Sequence, residues 1–315
     1  MNILQYAIRR LFALIPVVLL VAIFTFFIMH LIPGSPAIMM LGPQATVEDI
    51  RQLEEEMGLN QPLYVQFQKW FFGILQGDFG ESVFLDEPVS KLILHAAEPS
   101  FFLAIFSLSI SIVIGIPAGI IAAVKKGTLW DQIALTSALL GASIPSFWLG
   151  LNLILLLGVI ANLLPTSGYE SILTGNFYNI GFLIMPAIAL GFPNSAQITR
   201  LTRSTMLDVL GEDYIKTARS KGLRELTVIL KHALRNALTV IITVISFSFL
   251  NLMSRAVVSE NVFRIPGLGR LIVNSISRRD YPVVQGILIC VAGAYIIINL
   301  LTDLVYVIIN PQIRY

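Results

Sequence analysis

The sequence predicts an all-α integral membrane protein with six transmembrane helices and both termini on the cytoplasmic side. Three observations predict it. Of 315 residues, 56% are hydrophobic and only 13% are charged, about half the roughly 25% charge of a soluble domain. The mean hydropathy is +0.81. Uncharged runs recur along the chain, and a spanning helix needs about 20 such residues. The single cysteine, Cys290, excludes a disulfide framework, and the three histidines leave little for a metal cluster. A net charge of +2 gives no sign of a nucleic-acid partner.

The first span, Leu11 to Ile32, follows Arg9 and Arg10 and ends in Pro33-Gly34-Ser35-Pro36. It is longer than the apolar core of a signal peptide, which predicts a retained helix. An external segment, 33–98, follows. Its Thr46-Val47-Glu48-Asp49 has the form of a capping box opening a charged helix that ends near Gly58. After Pro62, residues Leu63, Phe67, Trp70, Phe71 and Ile74 recur at helical spacing. That stripe either lies in the membrane interface or packs on the spans.

The second span runs from Pro99 to Val124, and the third begins at Gln132 and stays uncharged past Leu164. A fourth lies around Ile180 to Thr199, a fifth around Asn236 to Ser254, and a sixth from Val283 to Ile309, interrupted by Asp303. Between the fourth and fifth lies the most charged stretch, 200–235. A further external segment covers 260–282. Pro145, Pro186 and Pro193 predict kinks. The whole, 1–315, reads as one transmembrane domain.

Orientation follows from Lys and Arg near span ends. Lys125-Lys126 and the basic 200–235 stretch share a side with Arg9, Arg10 and Arg314, whereas the loop after span three has no basic residue. Short loops decide, so both termini are placed inside.

Catalytic signatures are missing. There is no G-x-x-x-x-G-K-[ST] phosphate loop, no H-E-x-x-H and no G-x-S-x-G. His30, His95 and His232 are scattered and read as polar residues near helix ends, not as metal ligands. The chain is therefore expected to be no enzyme, to hold no metal and no cofactor, and to draw any energy it needs from a partner.

Residues 211–223 stand out. Asp213 at the start and Arg219 and Lys221 at the end suit the dipole of a short helix, and Gly222 suits a left-handed position after it. Tyr214, Ile215 and Ala218 form a small apolar face. The segment is either a solvated loop or a helix that docks into a groove of another cytoplasmic protein. It resembles the cytoplasmic EAA loop of ATP-binding-cassette (ABC) importer permeases, in its dipeptide, oligopeptide and nickel branch. Aligned on Gly222, the general E-A-A…G…I-x-L-P pattern matches only at Ala218, Gly222 and Leu234. The branch variant D-Y-[IV]-x-T-A-R-[AS]-K-G matches from Asp213 to Gly222. The resemblance implies a coupling helix seated in an ATPase cleft and built from Asp213, Tyr214, Thr217, Ala218, Arg219, Lys221 and Gly222.

The likeness continues through His30 to Ala37, Gly58 to Tyr64, Gly77 to Ser82, Leu201 to Met206, Val262 to Arg270 and Arg279 to Gly286. The terminal Asn310-Pro311-Gln312-Ile313-Arg314-Tyr315 departs from the usual D-P-R-I-R-Y at two positions. The chain resembles the first permease subunit of that branch, with a type I ABC importer permease fold. This implies a homologous second permease forming a heterodimer, two ABC ATPase subunits that use the ATP, and an extracytoplasmic solute-binding protein. The setting implied is the lipid bilayer of a bacterial or archaeal cytoplasmic membrane, with alternating access as the mechanism. Di- or oligopeptides are the expected solutes; nickel or a metal chelate is the alternative on the same architecture. A stand-alone secondary transporter is the competing class, and it calls for inverted repeats and ionisable residues at the bilayer centre.

Polar residues within spans are costly and therefore candidates for function. Asn152, Gln197, Asn251 and Asn299 read as interhelical hydrogen bonders or pathway residues, and Asp303 as an inner-end anchor. Arg255 sits just inside the external end of span five. It either snorkels to the interface or serves the external gate or a peptide carboxylate. Asn251 and Arg255 are the candidate pathway residues.

Overall fold

A computed structural model describes residues 16–27, 36–42, 44–56 and 58–309. Among these the chain is helical, without strands; an isolated bridge joins Glu81 and Pro88. The helices are α1 (Pro16–Phe27), α2 (Pro36–Leu41), α3 (Val47–Glu56), α4 (Leu63–Leu75), α5 (Val89–Val124) and α6 (Leu129–Ser143). They continue with α7 (Ser146–Leu153, running on as a π-helix to Ile160), α8 (Gly181–Leu210), α9 (Asp213–Ser220) and α10 (Glu225–Thr227). A π-helical turn, Val228–Ala233, joins α10 to α11 (Leu234–Phe263), which is followed by α12 (Leu268–Arg278) and α13 (Tyr281–Ile309). The chain divides into two compact units, residues 1–97 with 270–300, and residues 98–269 with 301–315.

In the first unit the capping box forms as the sequence predicts. The Thr46 backbone N–H donates to Asp49 Oδ2 at 3.1 Å, and the Asp49 N–H donates to Thr46 Oγ1 at 3.2 Å. The Thr46 hydroxyl, which donates to Asp49 Oδ2 at 2.6 Å, and then the Thr46 backbone N–H hold the Asp49 carboxyl below its ordinary pKa. The helix closes at Glu56, and Gly58 takes φ +70°. The aromatic stripe of α4 packs on α1: Phe67 and Trp70 lie 5.4 and 5.6 Å from Phe26. Two distant motifs meet here as well. Ser82 Oγ donates to the buried Asp280 carboxylate at 2.5 Å, and Gly80 faces Pro282.

The second unit is organised around α8. A β-carbon added at Gly115 or Gly119 of α5 would come within 2.8 Å of Ile198 or 2.6 Å of Thr202. One added at Gly191 of α8 would run into the Ser107 carbonyl oxygen. The two backbones touch because the contacting residues have no side chain, the small-x-x-x-small device of helices in lipid. Ser111 Oγ donates to the Gly191 carbonyl at 2.8 Å, and Asn194 Nδ2 to Ser111 Oγ at 3.2 Å. This is the interhelical bonding expected of amides in spans, made by Asn194. Asn152 instead donates to Trp148 O of its own helix at 2.7 Å.

The loop after α11 is locked from inside. The fully buried Glu260 accepts from Ser100 Oγ at 2.6 Å, and that oxygen accepts the Leu268 N–H at 2.8 Å. Gly267 leaves room for the Glu260 carboxyl, which any β-carbon there would strike.

Among the described residues four helices are long and apolar enough to cross a membrane: 89–124, 178–210, 225–263 and 281–302. A fifth candidate differs from its expected form. The uncharged run from Gln132 past Leu164 is two helices bent by 93° between Ser143 and Ser146. Pro145 has no N–H to give, and a residue before proline avoids the helical region; Ile144 accordingly turns to ψ 122°. The helix containing the second span begins at Val89, ahead of Pro99, because Glu98 within it is satisfied by Tyr169 OH and Ser171 Oγ at 2.8 and 2.6 Å. Of the first expected span, Pro16–Phe27 is helical, and the flanking residues 11–15 and 28–32 lie outside the described residues.

Substituting Gly191→Ala is expected to cost about 1–3 kcal/mol by overpacking. Gly293→Ala, whose β-carbon meets nothing within 4 Å, should change stability by less than about 1 kcal/mol. Thermal unfolding of the detergent-purified chain separates the two.

Candidate functional site

The predicted segment 213–222 folds into α9, ended by Lys221 and by Gly222 at φ +77°. Asp213 lies in its first turn and Arg219 in its last, the signs a helix dipole favours. The helix then splits into two faces. Ile215 and Ala218, 0% and 7% exposed, pack with Met206 of α8, with Val228, Ile229 and Ala233, and with Ala237 and Ile241 of α11. Asp213, Tyr214, Thr217, Arg219, Lys221 and Gly222 are exposed.

Two polar clasps hold this arrangement. Arg219 makes a bidentate pair with Glu225, at 2.6 Å for the shorter contact, closing the turn between α9 and α10. Asn236 Nδ2 donates to Tyr214 OH at 2.9 Å, tying α9 to α11. Both clasps are solvent-exposed, so each adds little beyond geometry. Burial of Ile215 is the larger contribution, about 2 kcal/mol. The smallness of Ala218 thus serves this chain's own packing, since it is buried in the cluster with Met206, Ala237 and Ile241. What α9 offers outward is the row Tyr214, Thr217 and Lys221.

Asn251 and Arg255 lie elsewhere. Asn236, the α9 contact, is about 22 Å down the α11 axis from Asn251. Both candidate pathway residues are exposed on α11. Arg255, unlike Asn251, lines a cavity of about 270 Å³ at the bend between α6 and α7, together with Ser143, Pro145, Ser146, Asn194, Gln197 and Arg200. Gln197 was legible as a costly polar residue. Arg200 was not, because its position just past an uncharged run reads as an interfacial charge. In the fold α8 continues to Leu210 and carries Arg200 within the helix. The neighbouring Arg203 is occupied differently, in a bidentate pair with the buried Asp131 at 2.6 and 2.8 Å. The side chain of Asp303 lies outside the described residues.

Ile215→Ala removes the anchor of α9 and should cost about 2–5 kcal/mol locally. Trypsin cleavage at Lys216, Arg219 and Lys221 is expected to accelerate at least about tenfold, since 1.4 kcal/mol is one decade in an opening equilibrium. Unchanged cleavage would mean α9 is held by other contacts.

Residues 115–315 match the model of the binding-protein-dependent transport system inner membrane component, and residues 3–89 match the N-terminal model of such membrane components. The probable peptide ABC transporter permease protein y4tP of Sinorhizobium fredii is 41% identical over 310 residues, covering 98% of this chain and 99% of that protein. The dipeptide transport system permease protein DppB of Escherichia coli K12 is 40% identical, with 99% of each covered. The glutathione transport system permease protein GsiC of Salmonella paratyphi A is 41% identical, also with 99% of each covered. Among solved structures, an inward-facing MetNI methionine ABC transporter chain superposes with a TM-score of 0.60 at 18% identity, covering 72% of this chain and all of that one. That likeness concerns the fold.

Proposed function

This chain belongs to the family of binding-protein-dependent transport system inner membrane components, and on that premise we propose that it carries di- or oligopeptides through the membrane as one of two homologous permeases. It is a multi-pass inner membrane permease of an ABC importer and not an enzyme. The peptide solute is supported by the naming of relatives 40 and 41% identical over nearly the whole chain. The full assembly in this reading is a permease heterodimer, two ATPase subunits that consume the ATP, and an extracytoplasmic binding protein, in a bacterial or archaeal cytoplasmic membrane. This chain itself holds no cofactor. It forms one permease domain over 1–315, with six spans, both termini inside, segment 33–98 outside and, within segment 200–235, α9 facing the ATPases.

The observation that carries the mechanism is the seating of α9. Its buried face joins Met206 of α8 and Ala237 and Ile241 of α11 in one cluster. A force on the exposed Tyr214–Thr217–Lys221 row is therefore delivered to two spanning helices through packed side chains, which interiors transmit with little slack. Asp213 and Arg219 set the helix, Gly222 ends it, and Ala218 fits it to the spans. ATP-driven closure of the ATPase pair moves α9, and the populations of inward- and outward-open states shift with it.

Thr217→Trp puts bulk on the exposed face without touching the buried one. It should leave membrane insertion intact, abolish co-purification of the ATPase subunits, and lower ATP-driven peptide uptake into vesicles by at least about tenfold, a loss of about 1.4 kcal/mol of coupling. Full ATPase recovery with normal uptake would make α9 a mere connector. The topology has its own test: a cysteine at Asp78 should react with an impermeant thiol reagent from outside, and one at Lys221 only after permeabilisation.

A further inference from the structure

We propose that the cavity at the α6–α7 bend is an anion subsite that holds the carboxylate of the passing solute, with Arg200 and Arg255 as its ligands. This rests on the peptide-permease reading above and adds to it a position in the pathway and a chemical group recognised there.

The cavity brings together two arginines from different spanning helices, Arg200 of α8 and Arg255 of α11. Neither comes from a helix end: Arg255 is about two turns from Phe263, and Arg200 nearly three turns from Leu210. The remaining polar lining consists of Ser143, Ser146, Asn194 and Gln197, and no carboxylate lines it. Among the described residues neither arginine has an ion-pair partner, whereas Arg203, one turn from Arg200, is neutralised by Asp131. Ionisable residues in a span ordinarily pair or mark a ligand pathway.

The bend adds a second positive feature. Helix α7 starts at Ser146 after Pro145, with no side chain capping it, and the first bond back to Pro145 is made by Leu149. The free N–H groups of its first turn therefore open at the cavity wall that Pro145 and Ser146 form. Two guanidiniums, an uncapped helix start and neutral amide and hydroxyl groups are the composition of a carboxylate site. A broken span with its half-helix N-terminus at the site is how transporters meet anionic substrate groups in the membrane. The volume, about 270 Å³, admits a terminal carboxylate with its residue and not a whole oligopeptide. The rest of a peptide extends outside the cavity, so the subsite recognises the group every peptide shares and not its sequence.

The test uses the complete transporter, with both permeases, the ATPases and the binding protein, in sealed vesicles. A binding scan over di- to pentaalanine identifies the peptide that saturates the binding protein, and its uptake is compared with that of its C-terminal amide, each at saturation. The unaltered transporter should move the acid about ten- to a hundredfold faster than the amide, the range for a hydrogen bond to a charged group. Arg255→Gln and Arg200→Gln should each lower acid uptake by that factor and leave amide uptake within about twofold, erasing the preference. Arg255→Lys, which keeps the charge and loses the bidentate fork, should retain part of the preference, and it carries the test if a Gln variant fails to assemble. Equal losses of acid and amide would overturn the subsite and assign the arginines to a lipid phosphate or to an acidic residue of the second permease. Failure of the unaltered transporter to move any of these peptides would refute the peptide reading itself.

Discussion

The contact between α5 and α8 is the constraint on which the second unit depends. In lipid, apolar surface gains nothing by leaving one hydrocarbon for another, so helices are held by close packing and hydrogen bonds. Gly115, Gly119 and Gly191 let the two backbones approach until Ser111 Oγ reaches the Gly191 carbonyl at 2.8 Å. Much of the machinery in this unit is mounted on α8. It supplies Asn194, Gln197 and Arg200 to the cavity, Arg203 to the pair with Asp131, and Met206 to the seat of α9. A shift of α8 against α5 would move all of these together.

Much of this was legible beforehand, for reasons that differ by element. Uncharged length revealed the long helices, because a bilayer imposes a minimum run whatever the fold. The Thr46–Asp49 box and the left-handed Gly222 were legible because caps are local chemistry. The direction of Ala218 was not, since a residue four positions before a cap can face a partner or its own core equally well. Only the arrival of Met206 and Val228 around Ile215 decides it. The extent of α5 was missed because Glu98 and Pro99 look like a boundary; Tyr169 and Ser171, some seventy residues away, make Glu98 tolerable inside a helix. The bend at Ile144-Pro145 was visible as a proline, but 93° is a property of the helices that receive the two arms.

The motifs that carried the resemblance turn out to be structural joints in each unit. Gly77 to Ser82 and Arg279 to Gly286 meet through Ser82 and Asp280, with Gly286 fitted against Val89 and Phe79. Val262 to Arg270 is shaped around the buried Glu260, which Ser100 satisfies while also receiving the Leu268 N–H. An uncompensated buried carboxylate would cost several kcal/mol. These loops are thereby fixed by partners whose removal leaves a charge stranded, which is why short polar strings far apart in sequence are good markers of one fold.

The charges of the second unit differ in purpose. Glu98, Glu260 and Asp131 each have partners within the chain, in hydroxyls or in Arg203, so they are complete without any other molecule. In the proposed subsite, Arg200 and Arg255 are left for an anion that arrives, because the residues lining their cavity offer amides and hydroxyls but no acid. A permanent counter-ion would trap the site in one state. Leaving the charge open makes occupancy by the solute the event that neutralises it, and a transporter that must both take up and release its cargo is served by that arrangement.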